Sequence, residues 1–225
     1  MILHLPGLFD ARALAFVDEV LSRAVFNDGA KTAGPAAKHL KRNQELDRNR
    51  TPGAAEIEKL VVGALSANRD FQDFALPQGF SRPIVSRYEP GMEYGRHVDN
   101  PILASGGRSM RTDVSVTIFL SDPADYDGGA LIHMVDGVER EFKPARGDAV
   151  AYTTGTPHRV SEVTRGARVA AILWAQSIVA DPHRRGILTG FHKVHHTLSE
   201  QRPDAPETEM FLESYYNLVR LWAQM

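Results

Sequence analysis

The sequence predicts a mainly β fold of the jelly-roll kind with flanking α-helices. Three observations carry that prediction. From about residue 83 the apolar period changes from 3.6 to 2, the segments between turns shorten to strand length, and the helical period returns only after Asp181-Pro182. Six short strands joined by long excursions suit two packed sheets with a mouth where ligands bind. The 225 residues are 43% apolar and 24% charged, enough for a buried core and unlike a disordered chain.

In chain order, Asp10 is an N-cap, and Leu14, Val17, Val20 and Leu21 recur at helical spacing, giving a first helix over about residues 11–23. The basic stretch from Lys38 to Arg42, with Glu45 and Asp47 close behind, reads as a solvated segment rather than an anion site. Thr51-Pro52 has the pattern of an N-cap followed by proline at the first helical position, and Ile57, Leu60, Val61, Ala64 and Leu65 mark one face of a second helix. Strands follow at residues 84–88, 114–120, 130–134, 148–152, 158–163 and 168–177, separated by glycine turns such as Asp136-Gly137 and Arg165-Gly166. In the second strand Val114, Val116, Ile118 and Leu120 face the core, while Ser115, Thr117 and Phe119 face a cavity. Phe211, Ser214, Tyr215, Leu218, Leu221 and Trp222 form a stripe over 207–223, a helix packed on the barrel or a homo-oligomer surface. The resulting division is a helical support over residues 1–80, the β core over 81–180 and a helical segment over 181–225.

Twenty-six Lys and Arg against 28 Asp and Glu leave a net charge of −2, with no broad basic field for nucleic acid or an anionic membrane. The absence of cysteine excludes disulfides, thiolate metal sites and cysteine nucleophiles, leaving His, Asp and Glu as metal ligands. With neither a basic n-region and apolar h-region nor an 18-residue apolar run, a cytoplasmic location is expected.

Tyr94-Gly95-Arg96-His97-Val98-Asp99 contains His-x-Asp, whose first and third residues project to one side of an extended chain. By itself the motif is weak, because this composition produces His-x-Asp/Glu about once by chance. His158, preceded by an apparent strand and turn, supplies a third ligand from elsewhere in the barrel. Two imidazoles and one carboxylate on one face of an octahedron leave three adjacent positions open and select Fe(II) chemistry with O₂. Zinc fits the same ligands, but no motif positions the general base that hydrolysis needs. Arg168 is expected on a strand returning beside His158, where its planar fork pairs with the far carboxylate of a metal-chelating 2-oxo acid. Tyr88 is a second donor to that co-substrate, or a buried structural hydroxyl. Arg111 and Asp113 pair structurally or face the substrate mouth. Trp174 is read as core, and His133, His4 and His39 as surface or satisfied histidines. His192, His195 and His196 lack the further ligand a second metal site requires.

The runs RYEPGMEYGRHVDNP, MRTDVSVTIFLSDPADYDGGAL and FKPARGDAVAYTTGTPHRVSEVTRGARVAAILWAQS, with NDGAKTAGPAAKHLKRNQEL upstream, resemble the bacterial PKHD-type hydroxylases. These are Fe(II)/2-oxoglutarate dioxygenases related to prolyl 4-hydroxylases and linked to iron uptake, and the likeness covers roughly residues 1–185. The resemblance implies a double-stranded β-helix, iron held by His97, Asp99 and His158, 2-oxoglutarate bound by Arg168, and ascorbate as a reductant. A cupin-like protein sensing iron, O₂ or 2-oxoglutarate without turnover is the competing reading. The prime substrate stays open between a peptide or protein residue and a small molecule.

Overall fold

The computed structural model describes residues 1–32, 34, 37–105 and 108–224. Two antiparallel sheets face one another. The larger has eight strands, seven in the order Ile2–Leu5, Ala149–Thr153, Val114–Phe119, Arg168–Ser177, Ile84–Tyr88, Gln44–Leu46 and Phe26–Asp28, with Pro77–Phe80 also paired to Arg168–Ser177. The smaller has five, in the order Val138–Phe142, Leu131–Val135, His158–Val160, Glu93–His97 and Lys41–Arg42. The N-terminal 80 residues therefore supply strands to both sheets besides their helices.

The alternation read from the second strand is realised on both faces. Val114, Val116 and Ile118 join Ala149, Ala151, Ala171 and Leu173 on the outer face of the large sheet, where helices α1 (Ala11–Leu21), α2 (Ala54–Ala67) and α3 (Arg69–Ala75) cover them with Val17, Val20, Ile57, Val61, Leu65 and Phe71. The opposite face, with Phe119, Val150, Tyr152 and Tyr88, packs against Leu131 and Val160 of the smaller sheet. That inner layer is where the chemistry-bearing side chains meet.

Two sequence expectations are corrected at helix and strand ends. Asp10 caps α1 by accepting from the Ala13 N–H, as expected. The cap of α2, however, is Gly53 at φ 90°, not Thr51. A Cβ at Gly53 would stand 2.6 Å from Val20 Cγ2 on α1, so close helix contact demands glycine there, and Thr51 Oγ1 instead accepts from the Val25 N–H. The strand expected over 158–163 ends at Val160. Beyond it, Val163–Arg165 pairs with Asp127–Gly128 in a separate ribbon, and the chain passes from the smaller sheet to the larger.

After the barrel, Asp181 caps α4 (Pro182–Gln201) by accepting from the His183 and Arg184 N–H groups. The apolar stripe of α5 (Pro206–Trp222) packs back on α4, through Phe191 against Phe211 and His192 against Tyr215, rather than on the barrel. Leu221 of that stripe stays 73% exposed. Among the described residues no helix is long and apolar enough to cross a membrane.

Candidate active site

His97 closes the strand Glu93–His97, His158 opens the strand His158–Val160, and the two are register partners. Asp99 follows two residues after His97 and completes the group. His97 Nε2 lies 3.5 Å and His158 Nε2 3.7 Å from Asp99 Oδ1, with the three side chains 5%, 5% and 9% exposed. One ligand atom from each lies within 4.8 Å of the others, the only such metal-competent trio among the described residues. Donors bound at about 2.1 Å on one octahedral face stand roughly 3 Å apart, so sub-ångström shifts close the group around an ion.

The surroundings orient each of the three side chains. His97 Nδ1 donates to the Gly95 carbonyl at 2.8 Å and His158 Nδ1 to the Thr156 carbonyl at 2.9 Å, which leaves both Nε2 lone pairs turned inward. Asp99 Oδ2 accepts from Ser115 Oγ at 2.8 Å and Trp174 Nε1 at 2.9 Å, so Oδ1 is the oxygen that faces the histidines. Burial alone pushes the Asp99 carboxyl up, but the polar groups that face it, His97, His158 and Trp174, outweigh it and bring its pKa to about 2. Burial lowers the His158 pKa, with Asp99 opposing and His97 assisting, so the imidazole favours the neutral form that binds metal.

Arg168 corrects the sequence reading in its placement. It lies on the large sheet, hydrogen-bonded to Val114–Phe119 and Ile84–Tyr88, rather than on a hairpin strand beside His158. The sheet crossing at residues 161–167 is the reason, and it sends the guanidinium into the cavity from the opposite wall. Arg168 is 1% exposed, and its Nε and one terminal nitrogen have no partner among the described residues. Its guanidinium stands 5.2 Å from the Tyr88 ring and 5.5 Å from that of Phe119. A buried cation with free donors has the chemistry to receive a carboxylate. Tyr88 is its register partner, and burial raises the hydroxyl pKa to about 12, keeping it a donor. The same cavity is lined by the histidines, Asp99, Thr117, Leu131, Tyr152 and Ile172.

Several residues were read otherwise from sequence. Trp174 is not plain core: it reaches Asp99, and its register partner is Ser115, the other donor to the same oxygen. His133 is neither on the surface nor satisfied. It is fully buried, directly paired with His158, has neither ring nitrogen partnered among the described residues, and is pushed down to a pKa of about 3, first by burial and then by His158. The signal was present, since Leu131 and His133 share the inward face of one strand. Lys41 is not solvated; its side chain is 9% exposed, its Nζ meets Glu45 Oε1 at 2.5 Å, and both residues line the cavity. Arg111 and Asp113 resolve as structural: Arg111 Nε donates to Asp113 at 2.8 Å, and Asp113 also accepts from the Ser177 N–H. The C-terminal histidines turn to separate partners, His192 to Asp73, His195 to Ser199 and His196 to Glu200.

Comparison with known proteins bears on the whole chain. Residues 83–176 match the 2OG-Fe(II) oxygenase superfamily. A PKHD-type hydroxylase of Hyphomonas neptunium is 43% identical over 225 residues, 99% of each chain, so the likeness runs well past residue 185. Among solved structures, a Pseudomonas putida prolyl-4-hydroxylase superposes with a TM-score of 0.53 at 22% identity, covering 78% of this chain and 92% of that one. A Trichoplax adhaerens prolyl hydroxylase in complex with a hypoxia inducible factor peptide fragment does so at 0.56 and 17%, covering 78% and 83%. These two likenesses bear out the jelly-roll core.

Proposed function

The chain belongs to the PKHD-type hydroxylases, 2-oxoglutarate-dependent dioxygenases that use Fe(II) and O₂, and on that footing we propose that His97, Asp99 and His158 hold the iron, and that Arg168 and Tyr88 bind 2-oxoglutarate. The observation that carries the reading is the pairing, in one cavity, of a metal-competent trio with a buried arginine whose Nε and one terminal nitrogen have no partner among the described residues.

Bound there, the metal supplies the activation of O₂ that drives 2-oxoglutarate decarboxylation and hydroxylation of a C–H bond. The protein's own residues do the rest. Two backbone carbonyls hold the imidazole tautomers, Ser115 and Trp174 hold the carboxylate, and the large sheet presents a guanidinium fork to the far carboxylate of the co-substrate. Leu131, Val160 and Ile172 form apolar wall, keeping water from the reacting centre. Ascorbate as reductant and a place in iron uptake rest on the family likeness alone, and the prime substrate is a peptide or protein residue or a small molecule.

The test is succinate release from 2-oxoglutarate in air with Fe(II) and ascorbate, without prime substrate, comparing wild type with His158→Ala. Succinate from wild type alone supports the reading. Equal succinate from both removes His158 from the iron site, and a protein that binds Fe(II) and 2-oxoglutarate without any turnover fits sensing instead.

A further inference from the structure

The cavity contains a second polar group besides the trio and Arg168. Lys41 and Glu45 form an ion pair on its wall, each side chain 9% exposed, with Thr32 Oγ1 bonded to both. Lys41 comes from the smaller sheet, where its register partner is Tyr94, and its ammonium stands 5.5 Å from that ring. Glu45 comes from the large sheet, opposite Ser86 in register. Ser86 is 1% exposed and lines the same cavity, and its hydroxyl has no partner among the described residues.

Stability does not account for this group. A buried ion pair contributes about as much as an apolar pair of the same size, or less, because both charges lose their water. Its bonds are also incomplete. The Lys41 and Thr32 bonds both fall on Glu45 Oε1, and among the described residues Oε2 has none. Among the described residues the Lys41 ammonium uses two of its three protons. Together with Ser86, the wall therefore offers one cationic donor, one anionic acceptor and a hydroxyl.

We propose that Lys41, Glu45 and Ser86 form a prime-substrate subsite that takes the ammonium and carboxylate of a zwitterionic α-amino acid, a substrate class that rests on the dioxygenase reading above. Charge pattern selects this class. A lone cation satisfies Glu45 but meets Lys41, and a lone anion does the reverse, whereas a zwitterion meets both with opposite charge. The same pattern separates the two ligands of the cavity. 2-Oxoglutarate, a dianion, is drawn to the free guanidinium of Arg168 and disfavoured beside Glu45. Ser86 and Tyr88 lie two residues apart on one strand and one face, about 7 Å, so an amino-acid head at Ser86 sits beside the co-substrate with its side chain free to reach the trio.

Calorimetry on the Fe(II)-loaded protein under argon, saturated with 2-oxoglutarate, tests this with the twenty proteinogenic L-amino acids and the N-acetyl and amide forms of any that bind. At least one free amino acid should bind, and blocking either end should weaken it about tenfold or more. Lys41→Met/Glu45→Leu, which removes both charges together, should lose binding by a similar factor while its melting temperature and 2-oxoglutarate affinity stay near wild type. Should that variant fail to fold, Ser86→Ala, which removes the third group of the subsite and leaves the ion pair intact, provides the comparison. Binding of 2-oxoglutarate without any amino acid, equal binding of blocked forms, or undiminished binding by the variant overturns the subsite and leaves the dioxygenase reading standing. Failure to bind 2-oxoglutarate overturns both.

Discussion

Trp174 donates its indole N–H to Asp99 Oδ2 at 2.9 Å across 75 residues of sequence. Ser115, its register partner on the adjacent strand, donates to the same oxygen. Two neighbouring strands of the large sheet thus fix the carboxylate that points Oδ1 at the two histidines. Groups that orient metal ligands typically affect affinity about 10–100-fold. Trp174→Phe, which keeps the ring and removes the donor, should weaken Mn(II) binding by a factor in that range, and Trp174→Phe/Ser115→Ala by more. Metal titration of the folded variants checks this, and an unchanged affinity for the double variant would show that Asp99 needs neither donor.

Acid should act on the site through His158 rather than through the Asp99 carboxylate. Asp99, held at about 2, stays ionised from neutral pH into mild acid. Burial lowers the His158 pKa, so this residue stays neutral and able to bind further into acid than a free imidazole at about 6.5. Mn(II) affinity should therefore decline only toward acid, as the His158 proton begins to compete with the metal. The sign for stability is the same: below the free value the unfolded chain takes up the His158 proton before the folded chain does, so stability falls as pH drops. Affinity that starts to fall above pH 7 would contradict the assignment.

His133 provides a test of what its burial is for. With both ring nitrogens unpartnered among the described residues, between Phe142, Tyr152 and His158, it bears a desolvation cost that a Leu of similar volume would not. His133→Leu should melt at the same temperature as wild type or higher, by up to about 1 kcal/mol of stability. A drop of several degrees in a thermal melt would mean that the imidazole is bonded in solution.

The distribution of what the sequence revealed follows from range. Strand alternation and the His97-Val98-Asp99 spacing are local, so the barrel face of Val114–Phe119 and the shared projection of His97 and Asp99 were legible from period alone. The third member of the trio, His158, was legible only because histidines are few. Sheet membership was not legible: nothing between Val160 and Arg168 marks the passage to the other sheet, which depends on Val163–Arg165 finding Asp127–Gly128. Trp174, Lys41 and His133 were misread for a related reason. Each has a residue type whose ordinary environment is core or surface, and only the juxtaposition of distant strands turns Trp174 and Lys41 toward the cavity and buries His133 behind His158.

Gly166 is where that passage is most constrained. Its φ is +71°, and a Cβ there would lie 2.0 Å from the Asp125 carbonyl oxygen, a backbone atom that cannot swing aside. Gly166→Ala combines a left-handed conformation with a clash and should cost about 3 kcal/mol. For a chain of this size that lowers the melting temperature by roughly 10 °C. A shift within a degree or two would mean that the turn relaxes freely, and that Arg168 is not held by it.

Arg168 separates binding of the co-substrate from stability of the fold. Because its Nε and one terminal nitrogen lack partners among the described residues, removing the guanidinium breaks few bonds and relieves a buried charge. Without ligand, Arg168→Met should melt at or above the wild-type temperature. With saturating 2-oxoglutarate the order should reverse, since a ligand stabilises the fold in proportion to the logarithm of its concentration over its Kd, and only wild type retains a tight site. Arg168→Lys keeps the charge but loses the fork, and should need at least about tenfold more 2-oxoglutarate for half-maximal succinate release. Mn(II) affinity should be unchanged in both variants, because the trio lies on the opposite wall. If Arg168→Met were stabilised by 2-oxoglutarate as much as wild type, the carboxylate would have to be held elsewhere in the cavity, and the assignment of this residue would fall.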